Sequence, residues 1–209
     1  MQISKQRIIL YFLAFFFISC GLSFLFLTNK KPFKKEKKSE YILPSISVVD
    51  KQFNFHIVVP GVWRSAQTSE ESIRCMKSYG LKTIISFRHN QEVCDWERVL
   101  CLQLGIEYYR FPIDSTKRQP IEKLIKILEI MHDPQKQPVL IHCQEGKDRA
   151  GLLSALYKVQ FKSFSKEDAY KEMLMYGYSE KAYPYIIDIV RSWNKASALK
   201  MFDSFVHKQ

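Results

Sequence analysis

The sequence predicts an α/β domain with a central, mostly parallel sheet flanked by helices, preceded by a membrane-spanning helix. Three observations carry this. Short apolar runs alternate with segments of helical periodicity from about Phe55 onward, the order that builds a parallel sheet with helices on both faces. The helical segments after Ala150 follow one another without an intervening strand. Residues 8–27 carry no charge and are rich in Phe, Leu and Ile.

The amino terminus divides into a tail (1–7), an anchor (8–27) and a lysine-rich linker (28–50). The anchor matches the ~20 residues that cross a hydrocarbon core, has no polar face to suit a buried core helix, and is longer than the apolar region of a signal peptide. Phe17-Ile18-Ser19-Cys20 faintly resembles a lipoprotein processing site, the alternative to an uncleaved anchor. Lys30, Lys31, Lys34, Lys35, Lys37 and Lys38 follow it. Such a run binds anionic headgroups and favours a cytoplasmic catalytic domain, although the basic tail leaves the opposite orientation open. The chain therefore reads as a single-pass membrane protein. Of its formal charge of +11, residues 1–38 supply +7, from eight basic and one acidic side chains, leaving +4 for the rest. The basicity belongs to the anchor region, and no nucleic-acid partner is expected.

Residues 51–209 are long enough for one domain with its own core. Phe55–Val59 and Val62–Arg64 read as short strands. Thr68-Ser69-Glu70-Glu71 reads as a capping box opening a helix that stops at Gly80. Lys82–Phe87 is a strand. Val93, Trp96, Leu100 and Leu104 are expected to face inward from a helix ending at Gly105. Ile106–Phe111 is a strand. Pro120 suits the first turn of a helix with Ile121, Leu124, Ile125 and Leu128 inward. Pro138–His142 is a strand, and a helix follows from Ala150 to about Val159. Ser165 opens another that ends near Gly177, and one long helix runs from Pro184 beyond Trp193.

The chemistry concentrates where the Pro138–His142 strand ends. Cys143 is followed by Gln144-Glu145-Gly146-Lys147-Asp148 and then Arg149, at the start of a helix. A strand delivers the sulfur to the carboxyl edge of the sheet, where ligands bind in open α/β folds. The loop is short enough to turn its amides inward as an anion nest, and the helix adds its positive end. Arg149 supplies a planar fork for two phosphate oxygens. The other four cysteines have Phe26, Leu81, Leu100 and Glu107 at the arginine's spacing. Five cysteines at irregular spacing form neither a disulfide framework nor a metal pattern, and no cofactor or metal is expected. Cys94 and Cys101, seven apart on one helix, read as core.

At these residues the chain resembles the cysteine-dependent protein tyrosine and dual-specificity phosphatases, in their bacterial membrane-anchored branch. The resemblance extends through Phe53–Gln67, with its Pro60-Gly61 and Arg64-Ser65-Ala66-Gln67, and through Ile84–Arg88. It implies a phosphatase fold with Cys143 as nucleophile, Arg149 binding the phosphoryl group, and His142 ordering the loop. The backbone of Gln144, Glu145, Gly146, Lys147 and Asp148 would bind the phosphate. Asp114, in the loop after a strand, would be the general acid and then the base that activates water, with Asp148 as runner-up. Ala150 departs from the family's Ser or Thr, which implies slow hydrolysis of the phosphocysteine. Arg64 and Arg88 are further candidates, for the pocket border or for surface ion pairs. Three functions follow in order: a phosphatase of phosphotyrosine or phosphotyrosine/phosphoserine proteins, a lipid phosphatase of phosphoinositide type at the membrane, and a phosphate-binding pseudophosphatase.

Overall fold

A five-stranded sheet forms the centre, in the order β1-β2-β5-β3-β4. The strands are β1 (His56–Val59), β2 (Val62–Ser65), β3 (Thr83–Ser86), β4 (Glu107–Arg110) and β5 (Val139–His142). The sheet is mixed. β1 pairs antiparallel with β2 across the Pro60-Gly61 turn, where Gly61 has φ +83°, and the remaining pairs are parallel. The computed structural model describes residues 53–206. The predicted tail (1–7), anchor (8–27) and linker (28–50) lie outside those residues, and among the described residues no helix is long and apolar enough to cross a membrane.

Strand alternation sorts the core into two layers. Val62, Ile85, Val139 and Ile141 face one way, onto α3 (Ile121–His132), α4 (Arg149–Phe161), α5 (Lys166–Met175), α6 (Pro184–Ser192) and Ala198 of α7 (Lys195–Val206). Trp63, Ile84 and Leu140 face the other way, onto α1 (Glu70–Ser78) and α2 (Gln91–Leu104). Each fully buried aliphatic side chain here contributes on the order of 1.5–3 kcal/mol relative to exposure. α4 is buried from Ala150 to Gln160 on every side. Most of it is apolar, and its buried Ser154, Lys158 and Gln160 side chains are hydrogen-bonded.

Several elements differ from expectation for local reasons. Ser69, not Thr68, caps α1, its hydroxyl accepting from the Ser72 amide, because the Thr68 hydroxyl is taken by Glu97 at 2.7 Å. α2 turns a different face inward: Cys94, Glu97, Leu100 and Cys101 are buried, while Trp96 is 41% exposed. Pro120 sits at the N-cap of α3, just outside its first turn. The expected long final helix is two, α6 and α7. Trp193 leaves helical geometry at ψ 124° so that its indole N–H can donate to Gln160 Oε1 at 3.0 Å, and Asn194 Oδ1 accepts from the Ser197 amide at the start of the next helix. Cys94 and Cys101 are core residues, as expected.

The register sets the position of the site. Ser65, His142 and Ser86 lie level on three adjacent strands, so Ala66, Cys143 and Phe87 leave the sheet together at its carboxyl edge. The loop after Cys143 then packs against the exit of β2. Gly146 has φ +70°, and a Cβ there would lie 2.6 Å from the Ala66 nitrogen and the Ser65 carbonyl carbon. Both the dihedral and the backbone contact exclude a side chain. Gly146→Ala is expected to lower stability by about 2 kcal/mol or more through strain and displacement of the loop; urea denaturation followed by circular dichroism measures it.

Candidate active site

Cys143 is 2% exposed, at the point where β5 becomes the loop. What shapes that loop is the set of donors gripping its carbonyls from outside. Gln144 O accepts from the Gln67 amide at 3.1 Å. Glu145 O accepts from Asn54 Nδ2 at 2.9 Å. Gly146 O accepts from Arg64 Nη2, which also reaches Lys147 O at 3.3 Å. Lys147 O and Asp148 O accept from the Gly151 and Leu152 amides in the first turn of α4. In a trans peptide the N–H of the following residue points opposite to the C=O. Pinning these carbonyls outward therefore turns the amides of Glu145, Gly146, Lys147, Asp148 and Arg149 toward the loop's interior. Asp148 stands at the N-cap of α4 but makes no capping bond; its Oδ1 faces the Ser179 amide at 3.4 Å instead. The first-turn amides of α4 are thereby left for an anion.

Arg64 holds this arrangement and is itself wholly buried. It is neither a pocket rim nor a surface ion pair. Its guanidinium lies 5.0 Å from the Tyr176 ring centroid, and His56 stacks on the same ring at 3.9 Å. Burial pulls the Arg64 guanidinium down to about 10, opposed by its electrostatic interaction with Cys143, Glu172, Tyr176 and Asp148, so it stays cationic at neutral pH. Burial, with Arg64 nearby, lowers His56 to about 4. The neutral ring donates from Nε2 to Asn54 Oδ1 at 2.7 Å, which aims the Asn54 amide at Glu145 O.

Behind the nucleophile, His142 and Glu97 are both fully buried and meet at 3.0 Å, Nε2 to Oε2. The other ring nitrogen faces Cys143 O at 3.4 Å. Glu97 also accepts from Thr68 Oγ1 at 2.7 Å and Gln67 Nε2 at 3.3 Å. Burial alone would push the Glu97 carboxyl up, but His142 and the hydrogen bonds outweigh it and hold the group below the usual carboxylate range. Gln67 thus joins the two supports, with its amide on the loop and its side chain on Glu97.

A cleft of about 310 Å³ opens beside the loop, lined by His89, Ile113, Asp114, Ser115, Thr116, Arg149 and Tyr183. Arg149 reaches it from the head of α4 and donates from Nη1 to Phe87 O at 3.3 Å, against the exit of β3. Asp114, in the loop after β4, lines the same cleft. Its Oδ1 accepts from the Thr116 hydroxyl at 2.6 Å and amide at 2.9 Å, and Lys117 Nζ is 3.5 Å from Oδ2. The Thr116 bonds, with Lys117 beside them, hold the Asp114 carboxyl down at about 2. It is a carboxylate in this geometry. At the loop's shoulder, Lys147 Nζ pairs with Glu145 Oε2 at 2.9 Å, and its stem lies along Gly177. Burial pushes the Asp148 carboxyl up, against the Ser179 amide and the neighbouring Arg149 and Lys147.

The structure brings Cys143, the loop Gln144–Asp148, Arg149 and His142 to one edge of the sheet, and Asp114 shares a cleft with Arg149. Arg88 is not on the cleft; its carbonyl is taken by Arg110 Nε at 3.4 Å, and its neighbour His89 lines the wall instead. Sequence reasoning missed Asn54, Glu97, His89 and Tyr183. Glu97 had a signal: it shares a helical face with Cys94 and Cys101, where a lone acid has to find a partner. His89 had a weaker one, lying just past a strand's carboxyl end. Among the described residues no cluster of three or more His, Cys, Asp or Glu is placed to hold a metal ion.

Residues 54–184 match the family described as "DSP-PTPase phosphatase fused to NAD+ Kinase". The chain is 26% identical over 133 residues to the dual specificity protein phosphatase TpbA of Pseudomonas aeruginosa strain UCBPP-PA14, covering 64% of this chain and 59% of that protein. It is 33% identical over 112 residues to inositol diphosphatase DSP2 of Oryza sativa subsp. japonica, covering 51% and 54%. It thus spans between half and two thirds of the length of these relatives. The crystal structure of P. aeruginosa TpbA has a TM-score of 0.63 with it, over 73% of this chain and 92% of that one, at 23% identity, a likeness of fold. The family match runs from Asn54, which braces the loop, to the head of α6, and takes in Cys143, Arg149 and their supports; the chain belongs to the DSP-PTPase phosphatases, hydrolases of the cysteine-dependent tyrosine and dual-specificity group.

Proposed function

We infer that this chain hydrolyses phosphoric monoesters through a phosphocysteine formed at Cys143, acting on phosphotyrosine or on phosphotyrosine and phosphoserine in proteins. The observation that carries the reading is the loop whose carbonyls are tied outward from Gln144 to Asp148. Five inward amides and the Arg149 fork together suit a phosphoryl group whose charge spreads over its equatorial oxygens in the transition state. In this mechanism the Cys143 thiolate attacks phosphorus, Arg149 and the amides bind the equatorial oxygens, and water then displaces the sulfur. His142, Glu97 and Arg64 touch no substrate; they position the loop.

The substrate class rests on charge. The loop's one lysine is paired with Glu145 at 2.9 Å, and Asp148 and Asp114 add negative charge near Arg149, a balance that favours a single phosphate over a polyanion. The second reading, an inositol polyphosphate or phosphoinositide substrate, is supported by the inositol diphosphatase among the relatives. Residues 8–27 and the lysines after them support a membrane anchor with a cytoplasmic domain; this rests on sequence alone.

The full chain, assayed with phosphotyrosine peptide, phosphoserine peptide and a short-chain inositol phosphate, is expected to cleave phosphotyrosine peptide best, with vanadate inhibition. Cys143→Ser is expected to reduce turnover on the order of 10⁵-fold. Preference for the inositol phosphate would replace the first reading with the second, and phosphate binding without turnover on any substrate would leave a binding protein. Ala150 is fully buried at the start of α4, at the position where the family resemblance implies a Ser or Thr hydroxyl for the departing sulfur. Ala150→Ser is expected to raise kcat about tenfold, the effect of one hydrogen bond to a charged group at about 1.5 kcal/mol, and to shorten the life of the phosphocysteine seen by rapid quench.

A further inference from the structure

A phosphate site by itself does not tell one monoester from another. In the reading above, five amides and Arg149 hold the phosphoryl oxygens, and none of them touches the group on the far side of the ester oxygen. That group has to extend into the cleft beside Arg149. The cleft's volume of about 310 Å³ lies at the small end of the roughly 300–1,000 Å³ found for ligand sites, room for one ring and its phosphate. Asp114, Ser115 and Thr116 give it polar lining, and Ile113 and Tyr183 give it apolar lining.

Tyr183 is held in place from several directions. It ends the turn between α5 and α6, where Pro184 opens α6 and keeps the residue before it out of helical geometry. Its carbonyl accepts from the Tyr178 hydroxyl at 2.8 Å, and Tyr178 is itself buried. Its amide donates to Ser179 O at 3.0 Å. Ser179 is the link to the phosphate loop: its own amide faces Asp148 Oδ1 at 3.4 Å, and Asp148 immediately precedes Arg149. Two hydrogen bonds thus connect Tyr183 to the residue beside the phosphate-binding arginine. At the other end of the same turn, the Lys147 stem lies along Gly177. The Tyr183 side chain is half-buried and packs in part against the larger core layer, while the residue also lines the cleft.

We propose that Tyr183 is the specificity-determining residue of this site, an aromatic wall that selects phosphotyrosine over alkyl phosphomonoesters such as phosphoserine. The assignment rests on the phosphate site of the reading above and narrows its substrate class. In phosphotyrosine the ring is bonded directly to the bridging oxygen. With the phosphate in the loop, the ring therefore enters the space that Arg149 and Tyr183 both line. Offset or edge-to-face ring pairs, with centroids about 4.5–7 Å apart, are favourable beyond the area they bury. Phosphoserine brings one methylene and then peptide groups to the same depth. It offers Tyr183 no ring to pack on, and its peptide groups lose water against an apolar lining that returns no hydrogen bond. A ring carrying several phosphates would meet Asp114 in the same cleft.

The test measures binding apart from chemistry, because an aryl ester also has the better leaving group. The full chain carrying Cys143→Ser is titrated calorimetrically with a phosphotyrosine peptide and with the same peptide bearing phosphoserine. The phosphotyrosine peptide is expected to bind about tenfold more tightly. Adding Tyr183→Ala is expected to bring the two Kd values within about threefold, through weaker binding of the phosphotyrosine peptide; Tyr183→Phe, which keeps the ring, is expected to keep the gap. Tyr178→Phe removes the donor to Tyr183 O without changing a cleft residue, and it is expected to narrow the gap in the same sense. With Cys143 intact, Tyr183→Ala is expected to raise KM for the phosphotyrosine peptide about tenfold, with a smaller change in kcat. No gap in Cys143→Ser, a gap that survives Tyr183→Ala, or equal weakening of both peptides would overturn the assignment. Absence of a phosphate label on Cys143 in the unsubstituted chain would overturn the phosphocysteine reading instead, and the peptide titrations then decide the role of Tyr183 separately.

Discussion

The site depends on one constraint: the loop after Cys143 has to keep its carbonyls away from the phosphate. A loop of free peptides would rotate to hydrate both ends of each dipole, and the anion nest would be lost. Here the outward grip comes from the segment that forms β1, β2 and the turn after them, through Asn54, Arg64 and Gln67. Arg64 carries the largest share, and burying its charge is costly. Two carbonyl oxygens, the face of Tyr176 and the negative groups around it offset that cost. Its Nε is left without a partner, so the compensation is incomplete. A cation retained under those terms is held for the loop's geometry, and it adds positive potential beneath a site for negative ligands. Preorganised dipoles of this kind need no rearrangement when charge develops in the transition state.

The second support works from the opposite layer. Glu97 on α2 reaches through the sheet edge to His142 on β5, with Thr68 and Gln67 completing its shell. The two supports approach Cys143 from different sides and meet at Gln67, which serves both. Gly146 lets the loop lie directly on the exit of β2. Without that contact neither set of donors would reach its carbonyls. Fold and site are therefore coupled tightly at this edge, whereas the cleft wall formed by His89 and Asp114 is set by loops and is more open to variation.

The patterns legible in the sequence were those written in local spacing. The Cys143–Arg149 loop, the strand before it and the helix after it appeared as expected, as did the buried cysteines of α2 and the α5 cap at Ser165. The misreadings share one cause, a tertiary partner outweighing a local rule. Trp96 looked like the inward residue of α2 because it is large and apolar, yet Glu97 takes that face because His142 and Thr68 wait there. Thr68 looked like a cap and is a ligand of Glu97. The final helix looked continuous and breaks at Trp193 because Gln160 lies within reach of its indole. Arg64 read as a pocket-border residue or a surface ion pair and is neither, because its partners are 82 and more residues away.

By itself, then, the sequence determined the α/β class, the delivery of a cysteine to a sheet edge and the arginine at the head of the helix that follows, since strand, loop and helix of that unit are contiguous and their placement is decided within about a dozen residues. Only the tertiary structure decided how the loop is held, which acid stands behind the nucleophile, and which titratable groups share the cleft. Those depend on contacts between segments far apart in the chain, and for a buried charge the identity of its distant partner, more than its own residue type, sets what it can do.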